Sequence, residues 1–433
     1  DGVTMSPKVS RIYKPEDYGM SSAVLKGIDE IALEGIKAKA YPGCQILILK
    51  DGVPVYDKCF GTFTYEKSKE VEADNLYDLA SLTKTTATLL AVMKLYDNGK
   101  FGLTDRVSDY IPVLKGTGKE RITIEELLMH QSGLPAFWPF YKKAIDEESY
   151  TGAFYRTRPD AGHHRQIDTR LFVIDHFGYK KELVSKVFSS DYPLLVSDSM
   201  YLHRSFRDSV LQQIAGVPLK DRRYRYSDLN FILLREIVEN ITKIPMNIFL
   251  QKEFYKPMKM EHTLFLPLRR FAKDEIVPTV KADYLRKGGM LQGYVHDESA
   301  ASGNAGLFST AGDVAKVYQM LIDGGVYEGV RYLSKETCDL FLTHTSKISR
   351  RGLGFDKPDK KNEAKSPCAA EAPAEVVGHT GFTGTCAWAD PKNKLVFVFL
   401  SNRIYPRPFD HKQLMRLNIR PRIQQVMYQA MTK

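Results

Sequence analysis

The chain has no C-x-x-C pair, and its five cysteines, Cys44, Cys59, Cys338, Cys368 and Cys386, match no metal-site spacing. An odd, unpatterned set supports neither a disulfide framework nor a zinc module, and it leaves the redox compartment open. No apolar run approaches the ~20 residues that cross a bilayer as a helix. The longest strand-like run, CQILIL (residues 44–49), is far too short. There is no internal repeat, no signal-peptide pattern and no initiator Met; the opening on Asp1 suits a mature or excised portion of a longer protein. Net charge is +10, yet Lys and Arg are dispersed, and their densest run, DKPDKKNEAK (356–365), is interleaved with acids. That run reads as a solvated loop, so nucleic acid is not an expected partner.

What the sequence does have is enough apolar content, 43% of 433 residues, for two domains or one large domain with an insertion. A helix is expected over residues 21–40. It is followed by GCQILILKDGVPVYDKCFG, where two apolar runs flank Asp51-Gly52, a pair suited to a type I′ hairpin turn. A second strand pair, GTCAWADPKNKLVFVFLSN (384–402), turns at Asp-Pro-Lys-Asn, and a helix, IQQVMYQAM, closes the chain. Helical patterns such as RITIEELLMH and NFILLREIVENI lie between. Strands at both ends predict one antiparallel sheet covered by helices, with the middle as a helical subdomain. Expected boundaries are 1–110 and 296–433 for the sheet domain and 111–295 for the subdomain, with an aromatic-rich insertion of weak periodicity at about 138–220.

Ser81 precedes Lys84 by three residues, and no other serine in the chain has a lysine at that spacing. If Ser81 opens the helix TKTTATLLAVMKLYDNG, which ends at Gly99, Nζ reaches Oγ one turn away. The helix N-terminus then favours an oxyanion. An N-cap serine with a surface lysine is the plainer reading of the pair alone. Two later stretches add to it: Tyr226-Ser227-Asp228, and His379-Thr380-Gly381 at the start of a strand. A tyrosine near Ser81 and Lys84 can relay a proton to a leaving group.

In this order Ser81-x-x-Lys84, Tyr226-x-Asp228 and His379-Thr380-Gly381 resemble the S-x-x-K, Y-x-N and K-T-G signature of serine β-lactamases and penicillin-binding proteins. LLMHQSGLP (127–135) and GNAGLFSTAGDVAKV (303–317) resemble the class C β-lactamase-related branch. The resemblance spans roughly 21–430 apart from the insertion. It implies an α/β sandwich (α+β) of the β-lactamase/transpeptidase-like type, an antiparallel sheet flanked by helices plus an all-helical subdomain. It also implies that Ser81 is the nucleophile, that Lys84 and Tyr226 share base and acid duties, and that the backbone N–H groups of Ser81 and Phe382 form an oxyanion hole. His379, Thr380, Gly381 and Asp228 would line the substrate cleft. No metal or organic cofactor is implied; GHHR (162–165) with His176 matches no metal template, and His130 suits a cap or packing role. Small-molecule or peptidoglycan-derived substrates and an extracytoplasmic location are implied. Similar domains sit beside family 3 glycoside hydrolase modules in envelope proteins, which the start at Asp1 would suit.

Two positions depart from the family pattern. His379 stands where a lysine holds a substrate carboxylate, and a histidine is mostly neutral at pH 7. Asp228 replaces Asn: facing Lys84 it favours the ammonium and moves proton transfer to Tyr226, and turned to the surface it does neither. The expectation is a serine hydrolase of esters or amides with weak or no β-lactamase activity. The alternatives are a D,D-carboxypeptidase, D-aminopeptidase or β-lactamase, and a muropeptide-binding module without turnover.

Overall fold

The computed structural model describes residues 6–432 apart from 67, 198–199, 222, 282–302 and 410. The expected boundary at 295/296 lies outside the described residues.

Both ends of the chain build one sheet. Its strands are β1 (Lys8–Val9), β2 (Gly43–Lys50), β3 (Val53–Gly61), β4 (Val377–Gly381), β5 (Thr385–Asp390) and β6 (Leu395–Ser401). They lie in the order β1-β3-β2-β6-β5-β4, every pair antiparallel. β6 is buried along its whole length, the mark of a strand covered on both faces, and so its sequence is continuously apolar. Its side chains still alternate: Leu395, Phe397 and Phe399 enter one core, Val396, Val398 and Leu400 the other. The β2–β3 hairpin turns at Asp51 and Gly52, with φ of 51° and 83°, the left-handed pair that a type I′ turn requires.

On one face lie helices α1 (Gly27–Lys37) and, at the chain's end, Ile419–Gln429. They bury Ile28, Ile31, Ile423 and Met427 against Trp388, Phe397 and Phe399. The helix expected over 21–40 is divided, a short turn at Ser22–Leu25 preceding α1. The opposite face receives Ala311–Ile322, and its apolar cluster continues into Leu89–Asp97 and Asp228–Thr242. This continuity seats the helical middle of the chain against the sheet.

The insertion is richer in strand than its aromatic sequence suggested. It forms two three-stranded sheets, one from Tyr155–Arg156, Arg165–Asp168 and Leu171–Val173, the other from Val184–Ser185, Leu194–Ser197 and Met200–Leu202, followed by helix Phe206–Gly216. It has small apolar clusters of its own, around Ile167 and Val173 and around Leu202 and Phe206. Its two roots meet near residue 133, where Lys220 N–H donates to the Gly133 carbonyl at 2.9 Å.

Candidate active site

Ser81 does not open a regular α-helix. It sits in a 3-10 turn, Ala80–Leu82, followed by a π-helical turn, Lys84–Thr88, before the α-helix Leu89–Asp97 begins. A hydroxyl from outside the turn reaches its backbone: Tyr255 OH donates to the Thr86 carbonyl at 2.7 Å. Thr85 Oγ1 bonds Tyr318 OH at 2.6 Å and Thr88 Oγ1 donates to the Gly303 carbonyl at 2.6 Å. The Tyr255 hydroxyl competes for a carbonyl of the normal helical ladder, and an inserted side chain of this kind is a recognised origin of such bulges. Ala80 is held at φ 48°, a left-handed conformation unusual for alanine, with its N–H bonded to Asp78 Oδ1 at 2.9 Å.

β4 and β5 clamp this segment from the other end of the chain. Thr383 Oγ1 donates to the Asp78 carbonyl at 2.7 Å, and Thr385 Oγ1 to the Leu79 carbonyl at 2.9 Å. Gly381 makes the approach possible: a Cβ there would lie 2.5 Å from Leu79 O and 2.1 Å from Thr385 Oγ1. Phe382 follows in the turn after β4, beside the Ser81 segment; its carbonyl accepts from Arg403 Nε at 2.8 Å and its ring packs under that guanidinium.

Lys84 Nζ lies 2.8 Å from Ser81 Oγ, and Tyr226 OH lies 3.0 Å from the same oxygen. The lysine is fully buried, and its Nζ also donates to Asp228 Oδ1 at 2.8 Å and to the Asn304 carbonyl at 3.2 Å. Of the two orientations left open for Asp228, the one facing Lys84 is found. Burial pulls the Lys84 amine toward neutrality, but Asp228 and Tyr226 outweigh it, leaving the ammonium favoured more strongly than in water.

Tyr226 is held by the residue after it and by His130. The Ser227 N–H donates to His130 Nδ1 at 3.0 Å, and Ser227 Oγ donates to the Pro135 carbonyl at 2.6 Å. His130 ends helix Ile124–Leu128 in a left-handed conformation, φ 56°, which carries its ring onto Tyr226 with centroids 4.5 Å apart. Burial, then Arg351 and Lys84, hold this imidazole well below its usual range, so it packs as a neutral ring.

Thr380 is half-buried in β4, and His379 beside it is 2% exposed. Its Nδ1 bonds the Thr380 carbonyl at 2.6 Å, so Nε2 carries the lone pair that meets Arg351 Nη1 at 3.2 Å. Burial first, then Arg351 and Lys84, push His379 down to about 3, and it carries no charge at neutral pH. The cation near this position is Arg351, whose Cζ stands 5.0 Å from the centre of the Tyr226 ring. Arg351 went unnoticed in the sequence because nothing in its spacing ties it to the three motifs. The Asn304 carbonyl was equally hidden, although GNAGLF was noted.

Among the described residues no group of three or more His, Cys, Asp and Glu could hold a metal ion. His163 and His164 of the GHHR stretch are engaged by Asp160 at 2.7 Å and Asp175 at 2.6 Å. The five cysteines are buried free thiols. Among the described residues no helix is long and apolar enough to cross a membrane.

A serine hydroxyl bonded to both a buried lysine and a tyrosine, at the edge of an antiparallel sheet flanked by helices, is the arrangement of a serine hydrolase working through an acyl-enzyme. The family model described as Beta-lactamase matches residues 28–418, and the chain belongs to that family of serine hydrolases. Among its relatives, "N-acetylmuramyl-L-alanine amidase" of Bacillus subtilis (strain 168) is 27% identical, over 93% of this chain and 86% of that protein. "Putative D-alanyl-D-alanine carboxypeptidase" of Escherichia coli (strain K12) is 28% identical, over 90% and 84%. The solved structure of EstCE1, a hydrolase with promiscuous acyltransferase activity, superposes with a TM-score of 0.62 at 18% identity, covering 94% of this chain and 98% of that one. That likeness shows the shared fold.

Proposed function

We propose that Ser81 attacks the carbonyl of an ester or amide and carries the acyl group, with weak β-lactamase activity at most. The observation that carries this reading is the position of Ser81 Oγ between Lys84 Nζ and Tyr226 OH. As the Oγ–C bond forms, the Ser81 proton passes to the Lys84–Tyr226 pair. The carbonyl oxygen becomes an oxyanion facing the backbone N–H groups of Ser81 and Phe382, and the proton then goes to the leaving atom as its bond breaks. Water repeats the sequence to release the acid. Thr380 and Asp228 would border the substrate, while Gly381 would keep the strand close enough for Phe382 to serve.

The relatives' names support peptidoglycan-derived peptides as a substrate class and a location outside the cytoplasm. The division into a sheet domain, 1–110 with 296–433, and a subdomain, 111–295, belongs to the same proposal. A second reading, a carboxypeptidase, is favoured by Arg351. With Arg350 it contributes two positive charges against the single carboxylate of Asp356, leaving an excess cation where His379 has none.

The test is incubation with a short-chain p-nitrophenyl ester and, separately, a fluorescent penicillin, following turnover and intact mass. Ester hydrolysis with little penicillin adduct supports the first reading, and a stable penicilloyl adduct supports the second. Saturable muropeptide binding without turnover would make the chain a binding module. Ser81→Ala should abolish all labelling; labelling that persists would refute Ser81 as nucleophile.

A further inference from the structure

The turn that presents Ser81 is held from other parts of the chain at the Asp78 and Leu79 carbonyls, by Thr383 Oγ1 and Thr385 Oγ1, and at the Leu79 N–H, which donates to the Leu307 carbonyl at 3.0 Å. The next backbone group, the Ala80 N–H, is held from within the turn, by Asp78 Oδ1 at 2.9 Å. This is also where the backbone is strained. Ala80 has φ 48°, and a left-handed alanine loses roughly tenfold in population against the right-handed form. A glycine would adopt that conformation freely; with alanine it has to be held.

The holding group is a half-buried carboxylate. Burial pushes Asp78 up to about 6, and what limits the rise is the Ala80 N–H and the hydroxyl of Thr279, which donates to Oδ2 at 3.1 Å. Hydrogen bonds, with no cation among them, thus keep it largely ionised at neutral pH. With the Ala80 N–H fixed, rotation about the Ala80 N–Cα bond decides where the following peptide points, and that peptide carries the Ser81 N–H. Relaxing Ala80 to the right-handed form would turn it by roughly 110°. We propose that Asp78 is a positioning residue: it holds Ala80 left-handed through the Ala80 N–H and so aims the Ser81 N–H at the oxyanion.

The inference rests on the reading of Ser81 as nucleophile and adds to it the device that orients its backbone donor. The Asp78 carboxylate bonds the Ala80 N–H and Thr279, not Ser81, so it acts through the backbone. An oxyanion forms only as the substrate carbonyl is attacked, so a misaimed donor weakens the transition state and leaves substrate binding alone. Its loss therefore falls on kcat and spares KM.

The experiment compares Asp78→Ala, Asp78→Asn and Ala80→Gly in the full chain, each shown to be folded by urea denaturation. Asp78→Ala should lower kcat for a p-nitrophenyl ester by ~100-fold with KM within ~3-fold, the cost of one misdirected oxyanion donor. Asp78→Asn, whose amide oxygen accepts the same N–H, should stay within ~5-fold of wild type. Ala80→Gly should recover ~10-fold in the Asp78→Ala background and change the wild type by less than ~3-fold, because a glycine needs no holding. An equal effect of Ala80→Gly in both backgrounds, an Asn variant as poor as the Ala variant, or a loss carried by KM overturns the proposal. A reading without substrate is exchange of the Ala80 amide, followed by NMR with isotope-labelled alanine and assigned by its absence in Ala80→Gly. It should be slow in wild type and Asp78→Asn and at least ~10-fold faster in Asp78→Ala. A chain that hydrolyses no ester would refute the nucleophile reading, whereas equal exchange in wild type and Asp78→Ala would overturn the role of Asp78 whatever the chain hydrolyses. Should Asp78→Ala not fold, Asp78→Val fills the same place in the strand Tyr77–Asp78 without an acceptor.

Discussion

Asp356 should behave as a carboxylate on which stability at neutral pH depends. It is 2% exposed, accepts from Arg350 Nε at 2.8 Å and Nη2 at 3.1 Å, and has Arg351 Nε at 3.7 Å. Burial alone would raise its pKa; Arg351 and Arg350 outweigh it and hold the carboxyl at about 2, against the usual 3.8. At ~1.4 kcal/mol per pH unit, that depression is a contribution of about 2 kcal/mol at pH 7. Because the folded value is the lower one, the contribution is complete above the unfolded value near 4 and is lost as pH falls toward 2. Asp356→Asn removes it and leaves Arg351 buried without its counter-charge, which brings the expected loss at pH 7 to about 3 kcal/mol. Urea denaturation followed by the fluorescence of Trp388, which lies in β5, measures it. The gap between variant and wild type should narrow to below ~1 kcal/mol near pH 2.5. A gap of equal size at both pH values, or one under ~0.5 kcal/mol at pH 7, would refute the assignment.

Two further outcomes can be checked. Gly381→Ala sets a methyl 2.5 Å from the Leu79 carbonyl and must push β4 away from Ser81; ester kcat/KM should fall by ~100-fold, as a misplacement of ~1 Å does. Arg351→Ala should raise KM for a peptide ending in D-alanine by ~10-fold or more relative to KM for a neutral p-nitrophenyl ester, the scale of one charge-assisted hydrogen bond; an unchanged ratio would remove Arg351 from the cleft.

The sheet was legible because its signals are local. Asp51-Gly52 admits positive φ without strain, and LVFVFLS is too apolar for anything but a covered strand. The meeting of Ser81, Lys84 and Tyr226 was legible only through the order of three motifs, since nothing in the residues around Tyr226 specifies a partner far away in the chain. Several features were not legible. The π-helical turn meets the hydroxyl of Tyr255, which donates to the Thr86 carbonyl, and that of Tyr318, which bonds Thr85 Oγ1, and no window around Lys84 contains either. The insertion's strands are two to four residues long, too short for alternation to emerge. The contact of the His379 ring with Arg351 is fixed by tertiary packing. The orientation of Asp228 is likewise a matter of where its helix sits relative to Lys84.

The clamp between Thr385 and Leu79 joins residues 306 positions apart. During synthesis Ser81, the proposed nucleophile, and with it Lys84 and Tyr226 would all leave the ribosome well before the strand that fixes the serine's backbone. A nascent chain would therefore carry the reactive groups without their final geometry, and hydrolysis would begin only once β4 and β5 had closed on the Ser81 turn. Long-range pairing of this kind is slow to form. Catalytic activity would thus report that the two ends of the chain have met, making turnover a sensitive gauge of correct assembly in refolding or fragment-complementation experiments.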